Sequence, residues 1–288
     1  MSSKVKFLLW VVLYLYTYSL YAHASVIHIV AAENIYGNVA KELGGVYVDV
    51  TNIINNPNQD PHLFTISPST AVAMTKANII IYNGADYDPW MSSLLGVQDQ
   101  NTTTIIIVAE LMGIKKGDNP HIWYNPETIP RFSQKLVSLL IQQDPAHEVY
   151  FQQQLEIFHK KYQPLFKIIQ DIKQHYPNTP VIATEPVFNY MADSLGFHLY
   201  GQVFQLSLMN DIPPTISQIK QFQEKLYQHT VKLVIFNKQV MNPIVRQMLA
   251  IARQEKIACL GVTEMLPNNT SYVQWMMAQL VELKGMLK

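Results

Sequence analysis

Two short segments of the chain join a proline to a histidine. They read Asp60-Pro-His62 and Asn119-Pro-His121, and each follows an apolar run that is typical of a β-strand. Proline fixes its own φ angle and biases the residue before it towards extended geometry, so each histidine follows a stiff dipeptide. Neutral imidazole is the commonest protein ligand for transition metals. The two segments therefore predict a metal site that includes both histidines.

Two carboxylates occupy similar positions in the second half of the chain. Glu185 directly follows one predicted strand, and Glu264 follows the last one. Parallel α/β sheets bind ligands beyond the carboxyl ends of their strands. Two histidines from one half and two carboxylates from the other are therefore expected to meet in a cleft. Taken singly, each has another interpretation: the histidines as loop residues bonded to backbone, and the glutamates as solvated loop acids.

The elements that must position these residues alternate along the chain. Short β-rich runs are separated by amphipathic stretches, which implies parallel sheets with right-handed crossovers. The predicted strands are Val26–Val30, Tyr47–Ile54, Ile79–Tyr82, Thr104–Val108, Val181–Thr184, Phe197–Gln202, Leu233–Phe236 and Ile257–Gly261.

A long stretch without strand signal separates the first four strands from the last four. Between Ala146 and Gln174 the apolar residues fall near helical spacing, and Pro164 is expected to kink or split the helix. A helix of about 28 residues spans roughly 40 Å, which is long enough to connect two domains. The predicted fold class is α/β, with two lobes that each have a central parallel β-sheet flanked by helices, joined by one long linker helix.

The first 24 residues have the three parts of a secretory signal peptide. A basic start precedes the apolar run Phe7–Tyr21 and the cleavage site Ala22-His-Ala24. The run is shorter than the ~20 apolar residues that a spanning helix needs, so we expect cleavage after Ala24 and an exported, soluble, periplasmic product. The expected organisation is a signal peptide at 1–24, an N-terminal β/α lobe at 25–145, the linker helix at 146–176 and a C-terminal β/α lobe at 177–288.

The composition argues against several classes of function. The chain has 21 basic and 21 acidic residues, a formal net charge of zero, which gives no support for nucleic-acid binding. Its one cysteine, Cys259, lies in an apolar stretch, so we interpret it as a small buried hydrophobe. One cysteine cannot form an internal disulfide or a thiolate zinc site. No cysteine lies near the expected cleavage site, so nothing in the sequence suggests a lipid anchor.

Four segments together resemble one known family. They are Asp60-Pro-His62, Asn119-Pro-His-Ile-Trp123, Ala183-Thr-Glu-Pro186 and Gly261-Val-Thr-Glu264. Over essentially the whole mature chain, the sequence is similar to the solute-binding proteins of ABC importers for zinc and manganese. The resemblance implies two β/α lobes on a rigid helix, with one divalent metal ion, Zn²⁺ or Mn²⁺, held between them as cargo. It also implies delivery to a membrane permease and no enzyme activity, and we expect a monomer.

The resemblance places the metal ligands on His62, His121 and Glu185, with Glu264 as the fourth. Many zinc-binding members have a histidine in the third position, and the fourth is commonly an aspartate. Zinc-specialised members often carry a long His-rich loop between the first two ligands, where this chain has only the segment 111–118. Imidazole suits zinc and carboxylate suits manganese, and a carboxylate bound through both oxygens raises the coordination number above four. The ligand set therefore supports zinc and manganese about equally as the cargo.

Two other functions are consistent with parts of the sequence. A secreted metallohydrolase keeps an open coordination position and a nearby base, but the chain offers four candidate ligands and no His-Glu-x-x-His motif. A binding protein for an organic ligand such as a siderophore, or an adhesin, could have the same fold class with incidental histidines. The predicted function is a periplasmic protein that captures zinc or manganese between its lobes and delivers it to an ABC importer permease.

Overall fold

Two four-stranded parallel β-sheets form the framework of the computed structural model, which describes residues 26–56, 64–96 and 103–288. The predicted α/β fold with two parallel sheets is confirmed, and the strands lie in the equivalent orders β2-β1-β3-β4 and β6-β5-β7-β8. The strand bounds are β1 (Ile27–Glu33), β2 (Val48–Ile54), β3 (Ile79–Tyr82), β4 (Thr104–Ile107), β5 (Pro180–Ala183), β6 (His198–Tyr200), β7 (Leu233–Asn237) and β8 (Ala258–Val262).

Helices connect and cover the strands. Their bounds are α1 (Asn34–Gly44), α2 (Pro68–Thr75), α3 (Met91–Leu95), α4 (Val108–Met112), α5 (Thr128–Gln143), α6 (Glu148–His175), α7 (Asn189–Ser194), α8 (Gln202–Met209), α9 (Ile216–Tyr227), α10 (Pro243–Gln254) and α11 (Tyr272–Met286). Among the described residues, no helix is both long enough and apolar enough to cross a membrane. The segment 1–24, interpreted as a signal peptide, lies outside these residues.

Two of these helices, α4 and α8, were not predicted. Helix α4 begins directly after β4 with no polar residue between them and no side-chain cap, so the sequence has no start signal there. Helix α8 follows Gly201, whose φ of 80° lies in the left-handed region that favours glycine. Its Val203 and Leu206 are exposed, which removes the amphipathic pattern by which a helix is recognised.

The long helix α6 has 28 residues and continues through Pro164. Of the two predicted effects of this proline, a kink or a split, the split does not occur. Proline removes one backbone hydrogen bond from the helix, but the turns on both sides are fixed by burial. Tyr162 and Leu165 flank the proline and are each 2% exposed. Packing of this buried face offsets the loss of the backbone hydrogen bond that the proline cannot form.

One apolar core extends from the first sheet across α6 to the second sheet. It includes Ile29 of β1, Phe158 of α6, Ile235 of β7 and Leu280 of α11, all buried. Helix α6 packs against α1, α5 and α11. Burial of apolar surface therefore holds the two sheets together, because the core is continuous between them. Cys259 of β8 is partly buried, and this burial raises the pKa of its thiol.

A buried carboxyl pair lies where β1 ends. Glu33 is fully buried beside Asp88. Asp88 is 3% exposed and accepts hydrogen bonds from the backbone N–H groups of Asn83 (2.7 Å) and Gly84 (2.9 Å). Burial, and secondly the charge of Asp88, raises the pKa of Glu33 well above its ordinary value. Burial also raises the pKa of Asp88 to about 6.

We expect Glu33→Gln to stabilise the metal-free protein at neutral pH. A carboxyl whose pKa is higher in the folded than in the unfolded state binds more protons when folded, so stability falls as the pH rises between the two values. The wild-type free energy of unfolding should fall by on the order of 1–2 kcal/mol between about pH 5 and about pH 7. Chemical denaturation in the presence of a chelator measures this fall. The variant should lose the part of the fall that Glu33 contributes and keep the part that Asp88 contributes, because burial raises the pKa of Asp88 independently. An unchanged pH dependence would contradict the assignment.

Candidate metal centre

Three of the four predicted ligands lie at the carboxyl ends of the two sheets, and the fourth, His62, lies outside the described residues. His121 follows β4 and α4, Glu185 follows β5, and Glu264 follows β8. Strand β7 lies between β5 and β8 in the second sheet. The last residue of β7, Asn237, therefore lies between the two glutamates.

His121 reaches from the first half of the molecule to the second. Its side chain is 1% exposed, and its Nε2 atom lies 3.6 Å from Glu264 Oε2. Asn119 Oδ1 lies 2.7 Å from His121 Nδ1 and also accepts the backbone N–H of His121 at 3.1 Å. The Nδ2 group of Asn119 donates to the carbonyl of Pro186, which fixes the orientation of the amide. We therefore assign the proton of a neutral His121 to Nδ1, which leaves the lone pair of Nε2 facing the carboxylate.

Glu264 receives contacts from both halves. Its Oε2 atom accepts a hydrogen bond from the Tyr87 hydroxyl at 2.9 Å, and its Oε1 atom accepts one from Asn237 Nδ2 at 2.6 Å. Its backbone N–H donates to Gln239 Oε1 at 2.6 Å. Burial, and then the charge of Glu264, raises the pKa of Tyr87 well above its ordinary value. Tyr87 therefore stays protonated and acts as a donor across the interface between the halves.

Glu185 is connected to Glu264 through a single amide. Its Oε2 atom accepts a hydrogen bond from the same Asn237 Nδ2 atom at 2.7 Å. Asn237 is 1% exposed, and its Oδ1 atom accepts the backbone N–H of Gln239 at 3.0 Å. Within ranges 26–56, 64–96 and 103–288, no three His, Cys, Asp or Glu side chains form a group that could hold a metal ion. The structure thus brings His121 Nε2 next to Glu264 Oε2, and Asn237 links Glu185 to Glu264.

A small cavity opens at this point. Its volume is about 20 Å³, and its lining includes His121, Glu185, Glu264 and the exposed side chain of Asp211. This volume holds about one water-sized sphere. A larger cavity of about 770 Å³ lies between α1 and residues 266–271, and none of the described candidate ligands lines it. We place the candidate site at the smaller cavity because the titratable groups converge there.

Sequence reasoning missed three residues of this site: Tyr87, Asn237 and Asp211. Asn237 is the last residue of β7, so the strand-end rule that selected Glu185 and Glu264 would also have selected it. Its amide is not a typical ligand for a transition metal, so a search for imidazole and carboxylate ligands does not select it. Tyr87 follows β3 in a loop without a motif, and Asp211 lies in the segment between α8 and α9, where no sequence pattern indicates a ligand.

Comparison with known proteins gives one family and several relatives. The family model described as ZnuA, zinc-uptake complex component A, periplasmic, matches residues 29–285. The manganese ABC transporter substrate-binding lipoprotein PsaA of Streptococcus anginosus is 23% identical over 221 residues, which are 70% of this chain and 69% of that protein.

Two solved structures have the same fold. The periplasmic zinc binding protein TroA from Treponema pallidum superposes with a TM-score of 0.76 at 14% identity, covering 91% of this chain and 99% of that one. The Mn-bound periplasmic metal binding protein from Candidatus Liberibacter asiaticus superposes with a TM-score of 0.75 at 16% identity, covering 91% of this chain and 100% of that one. At these identities the similarity shows the fold alone.

We expect Tyr87→Phe to destabilise the metal-free protein by about 1–3 kcal/mol, because it removes a buried hydrogen bond to a carboxylate that joins the two halves. Equilibrium denaturation in the presence of a chelator measures the loss. Tyr82→Phe, a change at a partly buried tyrosine of β3, is the matched control. Equal effects of the two substitutions would show that the hydroxyl contact with Glu264 contributes nothing specific.

Proposed function

The chain belongs to the ZnuA family, and from this premise we propose that it is a periplasmic solute-binding protein for a divalent transition metal, zinc or manganese. It captures the ion between its two sheets and delivers it to the membrane permease of an ABC importer. The observation that carries the proposal is the pairing of His121 Nε2 with Glu264 Oε2 at 3.6 Å, buried between the halves.

The separation of this pair fits a shared metal ion. A neutral Nε2 atom and a carboxylate offer each other only lone pairs, so a cation between them removes a repulsion. Two donors at zinc-ligand distances in tetrahedral geometry lie about 3.4 Å apart. The observed 3.6 Å needs only a small adjustment to admit the ion.

We assign the remaining ligands to His62 and Glu185. Glu185 can turn its other carboxyl oxygen towards the ion while its Oε2 atom keeps the hydrogen bond to Asn237. The first lobe is assigned to residues 25–145 and the second to 177–288, with 146–176 as the linker. Residues 1–24 are assigned as an export signal cleaved after Ala24, and the carrier as a monomer.

The size of the cavity favours an ion over an organic ligand. Pockets for drug-sized ligands have volumes of about 300–1,000 Å³, whereas the cavity at the candidate site has about 20 Å³. A siderophore does not fit in this space. No observation favours a metallohydrolase, and the family is one of solute-binding proteins.

We expect His121→Ala to weaken metal binding by more than about 100-fold, beyond the 10- to 100-fold that residues behind the ligands typically contribute. Chelator-stripped wild type should bind one equivalent of zinc or manganese, measured by elemental mass spectrometry and by competition with a chromophoric chelator.

His28→Ala is the matched control, because His28 forms a similar pair with Asp49 (3.4 Å) on the surface. It should leave the metal affinity unchanged. Absence of stoichiometric metal in the wild type, or equal losses in the two variants, would refute the proposed function.

A further inference from the structure

We propose that the exposed carboxylate of Asp211 is a capture group, which binds the metal ion at the mouth of the small cavity before the buried groups receive it. The inference rests on the proposed function and adds the residue that governs how fast the ion enters. It does not depend on which divalent ion is carried. It starts from a difference in exposure between Asp211 and the other titratable groups of the cavity.

The titratable groups that line the cavity differ in their access to solvent. Glu185, Glu264 and His121 are 6%, 5% and 1% exposed, whereas Asp211 is an exposed residue. Of these groups, Asp211 is therefore the first that an ion arriving from solvent meets. The described residues that line the cavity include no lysine or arginine. The negative charge at the mouth thus attracts a cation, and no basic side chain of the described lining opposes it.

The carboxylate of Asp211 is not used by the fold. It forms no hydrogen bond or ion pair with any residue that the structure describes. Other groups close the end of α8 instead. The backbone N–H of Asp211 donates to the carbonyl of Leu208 at 3.1 Å, and Asn210 Nδ2 donates to the carbonyl of Leu206 at 2.8 Å. The side chain of Asp211 is therefore available to a ligand without the loss of a contact that holds the helix.

An aspartate is an unfavourable residue at this position in the absence of a cation. Asp211 has a φ of 54°, in the left-handed region that glycine and asparagine adopt more readily at the end of a helix. It follows the carboxyl end of α8, where the helix dipole favours positive charge. Two residues of the last turn, Leu208 and Met209, line the cavity, so the negative end of the dipole also lies there. A cation at the mouth therefore relieves a repulsion that the empty protein retains.

The test measures how fast Zn²⁺ or Mn²⁺ binds to chelator-stripped Asp211→Asn. Asparagine removes the charge with little change of shape and suits the left-handed conformation. Stopped-flow mixing follows binding by the fluorescence of Trp123, whose ring lies 5.4 Å from that of His121, and independently by metal transfer from a chromophoric chelator. The association rate constant should fall by about three- to tenfold at low ionic strength. The difference should nearly vanish at about 1 M salt, where the Debye length is about 3 Å.

The same variant separates capture from two other roles. The dissociation rate constant should stay close to that of the wild type, because the ion leaves Asp211 once the buried groups hold it. A dissociation rate constant that rises as much as the association rate constant falls would make Asp211 a permanent ligand and would overturn the inference. The Tm of the metal-free variant should rise by about 1–3 °C, since the unfavourable charge at the end of α8 is gone. A lower Tm would show that the carboxylate supports the fold, which also overturns the inference.

Asp86→Asn is the matched control, because Asp86 is also an exposed aspartate with a left-handed φ, of 62°, and does not line the small cavity. It removes the same charge and should keep the association rate constant of the wild type. Equal association rate constants in the two variants overturn the inference. A wild-type association rate constant that does not change with ionic strength overturns it even if Asp211→Asn does not fold. In each of these cases one equivalent of bound metal leaves the proposed function standing, whereas a wild type that binds no metal refutes that function itself.

Discussion

Two carboxylates are buried side by side at the end of the second sheet, and the surrounding structure must compensate their charges. Glu185 and Glu264 are 6% and 5% exposed, so solvent gives them little screening. Asn237 donates to both, and Tyr87 donates to Glu264 from the opposite half. These buried donors allow the carboxylates to stay together without an ion. The Tyr87 hydrogen bond also ties the first half of the molecule to the second beside the two carboxylates.

The equivalent strand orders place the same pair of residue types at corresponding positions in both halves. The pairing register of β1 with β3, continued to the strand ends, puts Glu33 opposite Asn83, and that of β5 with β7 puts Glu185 opposite Asn237. In the second pair, Asn237 Nδ2 donates to Glu185 Oε2 at 2.7 Å. In the first half, Asn83 Nδ2 instead donates to the carbonyl of Pro120 at 2.9 Å. It thus fixes the segment that presents the adjacent histidine.

The continuous core around α6 and a set of buried hydrogen bonds hold the two halves of the site together. Tyr124, from the segment after His121, donates to the backbone carbonyl of Thr263 at 2.7 Å, and Tyr272 of α11 donates to the carbonyl of Trp123 at 2.6 Å. Both tyrosines are buried. The carbonyls that accept these bonds belong to residues one position from Glu264 and two positions from His121. Apolar packing sets the distance between the sheets. These two hydrogen bonds fix the position of the segment after His121 relative to the second half of the molecule.

Local sequence patterns predicted the alternation of strands and helices, the long helix, His121 in the segment that follows β4, and Glu185 and Glu264 just after β5 and β8. These features are local, since they follow from hydrophobic periodicity and from prolines next to the site residues. Strand order is not local. Only the tertiary structure placed β7 between β5 and β8, and so put Asn237 between the glutamates, and only it brought Tyr87 from the other half to Glu264. Contacts between residues far apart in the chain depend on how the sheets pair and pack, which no short pattern records.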